Sequence, residues 1–485
     1  MKMKSEFLKR LLFYLALGYE AHRGRPNCVS SIEMAFSKKI NISLLFIILF
    51  GLGTAYILVN EEPTKTKSPL PREDYCQNNH ISDLPDCPFK EGAYLLPRHY
   101  PARGIFFGYT QDRDHMEMLK KLIQLANLRQ PAPRLNLLIP RNEVEISHSS
   151  LQELPKGDLR SLVNMIPTPS DDTLWAQDYM EIGFDLEKKE SFFLDLPYTE
   201  REGEGLPPAL SLICKSPLEQ QPLGRGEDFG NGDYGGNIES YPGHLILIGD
   251  NMAPATKIKL ANLFKHQELV SINVNWLETG HVDELFSYLP NPINKNCPFM
   301  LNYASPKLAI ELLNNTQSWE QFLTSYYYEK NLFLSDEYNR TDFSDCFSHS
   351  TINESEPLCR GLLDANMKYE DLIQKSLSHL QEKLNSKLGC SVPSNPLPLL
   401  FAPANPMSDY GTDQDYARSI NPNPINNILI GENLVVARQA NQAFQSITDE
   451  VIKATSIQPH YVNGNLMHYL SGGIHCTVNI IRACK

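Results

Sequence analysis

A histidine and an aspartate lie two residues apart in the segment 276–288, which reads WLETGHVDELFSY. If this segment is extended, His281 and Asp283 project from the same face, because alternate side chains of a strand point to one side. Val282 then points to the opposite face, where it can be buried, and Gly280 allows backbone or ligand to approach closely. An imidazole beside a carboxylate can transfer protons and receive a cation. The same two residues could equally form a structural pair at a strand end.

A cysteine that could act as a nucleophile lies in the segment SGGIHCTVN. Most cysteines are inert residues of a core. Cys476, however, follows the glycine pair Gly472-Gly473 and adjoins His475. A nearby imidazolium or a cationic substrate would lower the pKa of the thiol and favour the nucleophilic thiolate. The residues TVNII predict a strand directly after this turn.

Two further motifs supply acidic side chains. Asp178 lies in WAQDYME, together with Trp175 and with the oxygen-bearing side chains of Gln177 and Glu181. Glu239 lies beside a glycine-rich turn in DYGGNIES. Each motif alone could consist of solvent-exposed surface residues without a function. Whether it is functional depends on whether the fold brings it close to the histidine and the cysteine.

An internal repeat predicts that the histidine and the cysteine share a central site. The segments 244–251 (HLILIGDN) and 427–433 (NILIGEN) are similar, and each precedes a predicted helix, at about 255–266 and 443–455. Each helix leads to a strand and then to a glycine-containing turn with a histidine. Repeated units arranged about an axis bring equivalent loops together, so these two turns should meet. Chance similarity of two apolar strands is the alternative.

Elsewhere the apolar periodicity alternates between strand and helix, which is typical of an α/β protein. The predicted elements are strands at 104–109 and 135–139, a helix at 114–128, a hairpin of 175–184 with 191–196, and an amphipathic helix at 369–388.

Length and charge narrow the function classes. The chain has 485 residues, 42% of them hydrophobic, which suffices for one large domain or two ordinary ones. The net charge of −13 argues against nucleic acid as a partner and favours attraction of a cationic substrate.

The N-terminal part predicts export. Residues 42–59 are eighteen residues without a charge, and they follow a basic segment at 1–41. They form either a single-pass transmembrane anchor with a cytoplasmic N-terminus or the apolar part of a cleaved signal peptide. Both alternatives place the rest of the chain outside the cytoplasm, membrane-bound or secreted. Residues 60–89 are rich in proline and predict a linker, which leaves 90–485 as the globular domain.

The cysteines are compatible with an oxidising compartment. Nine of the ten follow the apolar segment, and setting one aside as a nucleophile leaves eight that can form disulfides. The pairs Cys76/Cys87 and Cys346/Cys359 are close enough in sequence to close short loops. The absence of a CxxC pair in the sequence leaves zinc and thioredoxin-type functions without support.

Taken in order, four motifs resemble those of the protein-arginine deiminase (peptidylarginine deiminase) family, a branch of the guanidino-group-modifying (pentein) superfamily. They are WAQDYMEIGF, GGNIES followed by LILIGDN, WLETGHVDELFSY, and GGIHCTVN near the C-terminus. The resemblance covers roughly residues 90–485 and implies the pentein fold, a five-bladed pseudosymmetric α/β propeller. It also implies hydrolysis of arginine residues in proteins or peptides to citrulline and ammonia, through a covalent cysteine thiouronium intermediate.

The resemblance assigns a role to each matching residue. It implies that Cys476 is the nucleophile and that His281 is the general acid and base. Asp178 and Asp283 match the two carboxylates that bind the guanidinium group. Trp175 matches a tryptophan that packs on the aliphatic part of the substrate arginine.

Calcium is a further implication of the resemblance. The side chains of Gln177, Glu181 and Glu239, with carbonyl groups near Gly235 and Ile238, match one calcium site of the family. Hard oxygen ligands of this kind suit Ca²⁺. Since an exported protein meets calcium constantly, the ion is expected to be structural rather than a switch.

Three other functions fit parts of the pattern. A deiminase of a free guanidino compound such as agmatine or arginine shares the GGIHC motif. A Cys–His–Asp protease normally carries its nucleophile at the start of a helix, whereas Cys476 leads into a predicted strand. An inactive binding protein would not be expected to keep all four catalytic positions.

Overall fold

The computed structural model describes residues 76–77, 84–128, 132–144, 151, 162–168, 174–197, 205–219, 231–314, 357–403, 416–470 and 472–485. They belong to one compact unit, Leu70–Lys485. Within these residues, none of the helices has both the length and the apolar character needed to cross a membrane. The predicted anchor or signal segment at 42–59 lies outside the described residues.

Short strands make up most of the described structure. They are β1 (Ala93–Tyr94), β2 (Ala102–Gly108), β3 (Arg134–Pro140), β4 (Val163–Thr168), β5 (Met180–Asp185), β6 (Glu190–Asp195), β7 (Leu218–Glu219), β8 (Ile238–Tyr241), β9 (Leu245–Gly249), β10 (Glu268–Ile272), β11 (Phe286–Pro290), β12 (Phe299–Ser305), β13 (Ser394–Pro398), β14 (Phe401–Pro403), β15 (Ala417–Ser419), β16 (Ile428–Ile430), β17 (Asn433–Ala437), β18 (Gln458–Val462) and β19 (Val478–Arg482).

Helices connect many of these strands. They are α1 (Arg113–Asn127), α2 (Leu206–Cys214), α3 (Pro254–Leu263), α4 (Pro306–Asn314), α5 (Pro357–Leu388), α6 (Gln442–Lys453) and α7 (Asn465–Tyr469).

Helix α1 shows how local sequence fixes an element. The Asp112 side chain accepts hydrogen bonds from the backbone N–H groups of Asp114 and His115, which satisfies donors that the first turn leaves unpaired. One stripe of the helix, including Met118 and Leu122, is buried against the sheet. The predicted strand–helix–strand succession of β2, α1 and β3 is therefore confirmed.

One supersecondary unit recurs, and it confirms the predicted repeat. An antiparallel strand pair is followed by a helix and then by a strand parallel to the second of the pair. This is the arrangement of β8, β9, α3 and β10, and again of β16, β17, α6 and β18. The predicted equivalence is wrong by one strand: HLILIG forms the middle strand β9, whereas NILIG forms the first strand β16. Apolar strands this short are alike, so sequence similarity did not distinguish first from middle.

The same order appears in three other sheets. Strands β5 and β6 are followed by α2 and β7, strands β11 and β12 by α4, α5 and β13, and strands β19 and β2 by α1 and β3. The last unit takes its first strand from residues 478–482, which pair antiparallel with β2. The chain thus has an α/β fold, as predicted.

The disulfides differ from the predicted short loop. Cys76 pairs with Cys214 and Cys87 pairs with Cys484, across separations of 138 and 397 residues. A backbone hydrogen bond lies beside the Cys87–Cys484 disulfide, in which the N–H of Cys87 donates to the carbonyl of Lys485 at 3.1 Å. The predicted Cys76/Cys87 pair is therefore wrong, since tertiary pairing and not sequence distance decides which sulfurs meet.

A third disulfide joins Cys297 to Cys390, 93 residues apart. The predicted Cys346/Cys359 pair lies outside the residues whose side chains the structure describes.

Candidate active site

Three of the four motifs form short 3₁₀ turns at the ends of strands. The turns are Gly235–Asn237, Val282–Glu284 and His475–Thr477, and they lead directly or within one residue into β8, β11 and β19. The predicted extended conformation through 281–283 is therefore wrong beyond His281, which keeps an extended φ of −110°. Val282 is buried as predicted, and Gly280 has a φ of +75°, which favours glycine.

Backbone contacts tie the four motifs together. The N–H of Gln177 donates to the carbonyl of Cys476 at 3.2 Å, and the N–H of Gly235 donates to the carbonyl of Asp178 at 3.4 Å. A Cβ on Gly236 would overlap Nδ1 of His281, so the absence of a side chain lets the imidazole approach this turn. Segments far apart in the sequence thus meet at one place.

The side chains expected to do chemistry are buried at this meeting point. Cys476 Sγ lies 3.8 Å from Asp283 Oδ2, and His281 Nδ1 lies 4.0 Å from Asp178 Oδ1. Cys476 is the free cysteine among those the structure describes, and it is 3% exposed. An imidazole, a thiol and two carboxylates therefore share one water-poor site.

Trp175 lies beneath the cysteine turn. A Cβ on Gly472 would overlap the indole ring, so the glycine lets the turn pack directly against Trp175. Trp175 and Cys476 belong to one hydrophobic cluster with Met118 and Leu122 of α1. The hydrophobic core beside the sheet of β19, β2, β3 and β4 thus holds the turn that carries the thiol.

Burial dominates the electrostatics of the site. It raises the pKa of Asp283 to about 7, and Arg98 opposes the shift. Burial also raises the pKa of Cys476 well above its ordinary value, and the charges of Asp283 and Asp178 add to this. The pKa of His475 is lowered by burial to about 4, so the expected neighbouring imidazolium is not present at neutral pH.

A polar cavity of about 60 Å³ is lined by four of the five residues expected to bind calcium, namely Gln177, Glu181, Ile238 and Glu239. Gln177 Nε2 donates to Glu239 Oε1 at 3.1 Å. Gln177 Oε1 and Glu181 Oε1 are buried and have no hydrogen-bond partner within the described part of the chain. A Cβ on Gly235 would come within 3.0 Å of Glu181 Oε1, so this oxygen faces the turn that leads to Ile238.

These oxygens fit a calcium ion. Burial raises the pKa of Glu181, and the nearby charge of Glu239 adds to the shift. Buried acceptors without donors and mutually repelling carboxylates both call for a cation. The donor set consists of oxygen atoms, as Ca²⁺ prefers.

His475 connects the two halves of the site. Its Nδ1 lies 3.1 Å from Asp283 Oδ2 and 3.2 Å from Glu239 Oε1. These three ligand atoms all lie within 4.8 Å of one another. One imidazole therefore touches both a carboxylate expected to bind guanidinium and one expected to bind calcium.

Sequence reasoning missed several residues of the site. Asn426 donates from Nδ2 to Asp283 Oδ2 at 2.8 Å. Arg98 is buried, donates to Asn427 Oδ1 at 3.2 Å and lies over the ring of Tyr288. The sequence feature that could have indicated Asn426 is the segment NPNPINN at residues 421–427. Its many asparagines and prolines are typical of a loop with a defined turn conformation.

Comparison with solved structures identifies the class of fold. A candidate peptidyl-arginine deiminase superposes with a TM-score of 0.51 at 13% identity, covering 80% of this chain and 98% of that one. A candidate arginine deiminase from Porphyromonas gingivalis gives a TM-score of 0.50 at 12% identity, with coverages of 80% and 98%. At such identities the likeness concerns the fold alone, which is the α/β fold of the pentein-type deiminases.

The family follows from the sequence comparison. A model of the protein-arginine deiminase (PAD) family matches residues 234–485. The chain belongs to the protein-arginine deiminase family. Protein-arginine deiminase type-3 of Rattus norvegicus is 31% identical over 166 residues, covering 30% of this chain and 24% of the relative. The human type-3 protein is 23% identical over 340 residues, covering 64% of this chain and 46% of the relative. The chain therefore matches less than half the length of these relatives.

Proposed function

We propose that this protein hydrolyses the guanidinium group of arginine residues in proteins or peptides, releasing citrulline and ammonia. The observation that carries the proposal is the convergence of Cys476, His281, Asp178 and Asp283 from separate motifs into one buried site. Membership of the family supports the same reaction.

The two carboxylates suit the substrate. Arginine is a planar cation with five N–H donors, and a carboxylate can accept two of them side by side. Asp178 and Asp283 would hold the plane of the guanidinium and present its central carbon to Cys476 Sγ. The indole of Trp175 would pack against the aliphatic stem.

The reaction follows from these positions. Cys476 passes its S–H proton to His281, and the resulting thiolate attacks the guanidinium carbon, forming an S–C bond and a tetrahedral adduct. Protonation by His281 lets one nitrogen leave as ammonia, and an S-alkylthiouronium remains. His281 then takes a proton from water, which attacks the same carbon. The S–C bond breaks, citrulline leaves, and the sulfur is restored.

The substrate itself activates the nucleophile. Burial and the two carboxylates keep the resting Cys476 protonated, because its pKa is raised. A bound guanidinium cation compensates both carboxylates and attracts negative charge to the sulfur. The thiolate would therefore form chiefly when an arginine side chain occupies the site.

We further propose that calcium supports the site. Gln177, Glu181 and Glu239, with the carbonyls of Gly235 and Ile238, would hold it. When bound, the ion supplies fixed positive charge that compensates the buried carboxylates. The residues themselves tie the Asp178 loop to the turn before β8.

At the level of architecture we infer a pseudosymmetric five-bladed propeller. The five units in the described residues share one strand order. The site-bearing turns before β8, β11 and β19 meet. Units of this kind around an axis would place equivalent loops at one centre.

The proposal is tested by incubating the full-length protein with calcium and a blocked arginine peptide, and measuring citrulline. Agmatine and free arginine form the second arm, because a deiminase of free guanidino compounds is the alternative. We expect citrulline from the peptide, loss of product with EGTA and no product from Cys476→Ser. Turnover of agmatine without turnover of the peptide would overturn the assignment to protein arginine.

We also propose that the catalytic part lies outside the cytoplasm. The basic segment before residue 42 and the three disulfides support this placement. A reporter fused after residue 60 that is active only outside the cytoplasm is the expected result, and a reporter active only inside would contradict it. A mature N-terminus near residue 56 would indicate a cleaved signal peptide rather than an anchor.

A further inference from the structure

The Asn426 side chain lies between the proposed nucleophile and one proposed guanidinium-binding carboxylate. Nδ2 donates to Asp283 Oδ2 at 2.8 Å and lies 3.4 Å from Cys476 Sγ. Oδ1 accepts a hydrogen bond from the backbone N–H of His475 at 2.7 Å. Chemistry fixes this orientation of the amide, because a backbone N–H can only donate and a carboxylate accepts.

Burial and a neighbouring glycine allow Asn426 to make these contacts. The residue is 2% exposed and lies just before β16. A Cβ on Gly473 would overlap Asn426 Oδ1, so the glycine of the cysteine turn is what allows the contact. The neighbouring Asn423 uses its amide elsewhere, donating to the carbonyl of Glu284 at 2.8 Å.

The proposed reaction creates an electrostatic problem at this point. The Cys476 thiolate and the Asp283 carboxylate would be two buried negative groups 3.8 Å apart. Like charges at this distance repel strongly when water is excluded. The amide NH₂ group of Asn426 provides donors directed at both, and hydrogen bonds to charged groups are the stronger kind.

We infer that Asn426 is a positioning residue of the proposed deimination, whose amide sets the separation of sulfur and carboxylate and stabilises the thiolate by donating to it. This inference rests on the proposed function and deepens it. No bond to Asn426 forms or breaks, and the residue acts through Cys476 and Asp283.

The test replaces the donor while keeping the shape. Asn426→Asp retains an oxygen for the His475 N–H and replaces the NH₂ group by a second acceptor. We expect kcat for the arginine peptide to fall by about a hundredfold, comparable to removal of one preorganised donor. In substrate-free protein, the pH midpoint for alkylation of Cys476 by iodoacetamide should rise by about one pH unit or more. Mass spectrometry of the peptide containing residue 476 restricts the measurement to this thiol.

Asn423→Asp is the matched control, since it makes the same change in the same loop without touching Cys476 or Asp283. Its alkylation midpoint should equal that of the wild type. A second probe is Gly473→Ala, whose added methyl group displaces the Asn426 amide and should raise the midpoint as well. If Asn426→Asp does not fold, Asn426→Ala, which removes the donor without adding a charge, takes its place with the same expected rise.

The inference and the proposed function fail separately. A folded Asn426→Asp protein with wild-type kcat and alkylation midpoint would overturn the positioning role. An equal shift in Asn423→Asp would also overturn it, because the effect would then belong to the loop. A wild-type protein that makes no citrulline would overturn the proposed function. The pH profiles of Cys476 alkylation would still test whether the Asn426 amide stabilises the thiolate.

Discussion

Asp178 and Asp283 receive the same proposed task, although their surroundings differ. Asp283 contacts Asn426 and His475 through one oxygen, while its second oxygen is buried without a hydrogen-bond partner in the described structure. Asp178 faces His281. Because the carboxylates come from different motifs, each can be removed while the other stays in place.

We predict that Asp178→Asn and Asp283→Asn each lower kcat/KM on an arginine peptide by at least about a hundredfold. Loss of one partner from a buried ion pair costs about 3–5 kcal/mol. Steady-state kinetics measure the effect. Asp185→Asn, at the far end of β5 and paired with Lys188, is the control that should keep wild-type kinetics. Wild-type kcat/KM in either test variant would remove that residue from the guanidinium site.

Asp283 should also leave a signature in the pH dependence of stability. Its pKa rises from 3.8 unfolded to about 7 folded, because burial disfavours the charged form. Between these values the folded state binds more protons than the unfolded state, so this contribution is present at low pH and is lost as the pH rises. The free energy of unfolding of the wild type, minus that of Asp283→Asn, should therefore fall between about pH 4 and pH 7.

Denaturant titrations in EGTA at several pH values measure this difference. The comparison between variants cancels the contribution of His99, whose lowered pKa acts with the opposite sign. Asp185→Asn should show no trend in the same window, because the pKa of Asp185 is lowered by Lys188. If the difference in free energy of unfolding between the wild type and Asp283→Asn does not change with pH, the pKa of the Asp283 carboxylate is not raised in the folded state.

Turns, rather than strands or helices, carry the site. Each 3₁₀ turn is placed by the strand that follows it, and glycines allow the turns to touch. Gly236 admits His281, Gly472 admits Trp175 and Gly473 admits Asn426. The strands can therefore bring the turns into contact only because glycine, which has no side chain, occupies these three positions.

We predict that Gly236→Ala severely reduces kcat, because its methyl group would overlap His281 Nδ1 and displace the imidazole. A displacement near 1 Å can cost about a hundredfold in rate. Gly361→Ala on α5 is a matched control, since a Cβ there meets no atom within 4 Å. That control should keep full activity and gain slight stability, because alanine favours helix. Equal activity in both variants would contradict the proposed placement of His281.

Sequence reasoning predicted elements better than the details of the site. A strong periodicity of apolar residues predicted α1, the β5–β6 hairpin and the end of α5. In these elements one whole face of the helix or strand is buried, so the pattern extends over many residues. The 3₁₀ turn after His281 could not be predicted, since a turn of three residues has no period. Asn426 was missed for a similar reason: only tertiary pairing brings its loop to residues 283 and 476.

At the scale of the whole molecule, the proposed calcium ion should stabilise the fold. We predict that EGTA lowers the Tm and that Ca²⁺ restores it, while Mg²⁺, with its strict octahedral geometry, does so poorly. Calcium at about a hundred times its Kd would stabilise the folded state by about 2.7 kcal/mol. Differential scanning calorimetry measures the shift without any substrate.

Glu181→Gln tests whether the ion binds at the expected place. This variant should largely lose the calcium-dependent shift in Tm, whereas Glu187→Gln, an exposed residue in the turn between β5 and β6, should keep it. A full calcium-dependent shift in Tm in Glu181→Gln would show that the ion binds elsewhere. No such shift in the wild type would show that this is a calcium-independent member of the family.

The pairing of β19 with β2 has a consequence for when the protein becomes competent. The two strands are more than 370 residues apart along the chain, and the cysteine turn lies immediately before β19. Closing so long a loop is entropically unfavourable until the intervening units have formed, so this sheet should assemble late. The thiol would then reach its partners only in a chain that has completed folding, and the Cys87–Cys484 disulfide joins the same two ends of the chain. Nascent or misfolded copies would therefore lack the assembled site.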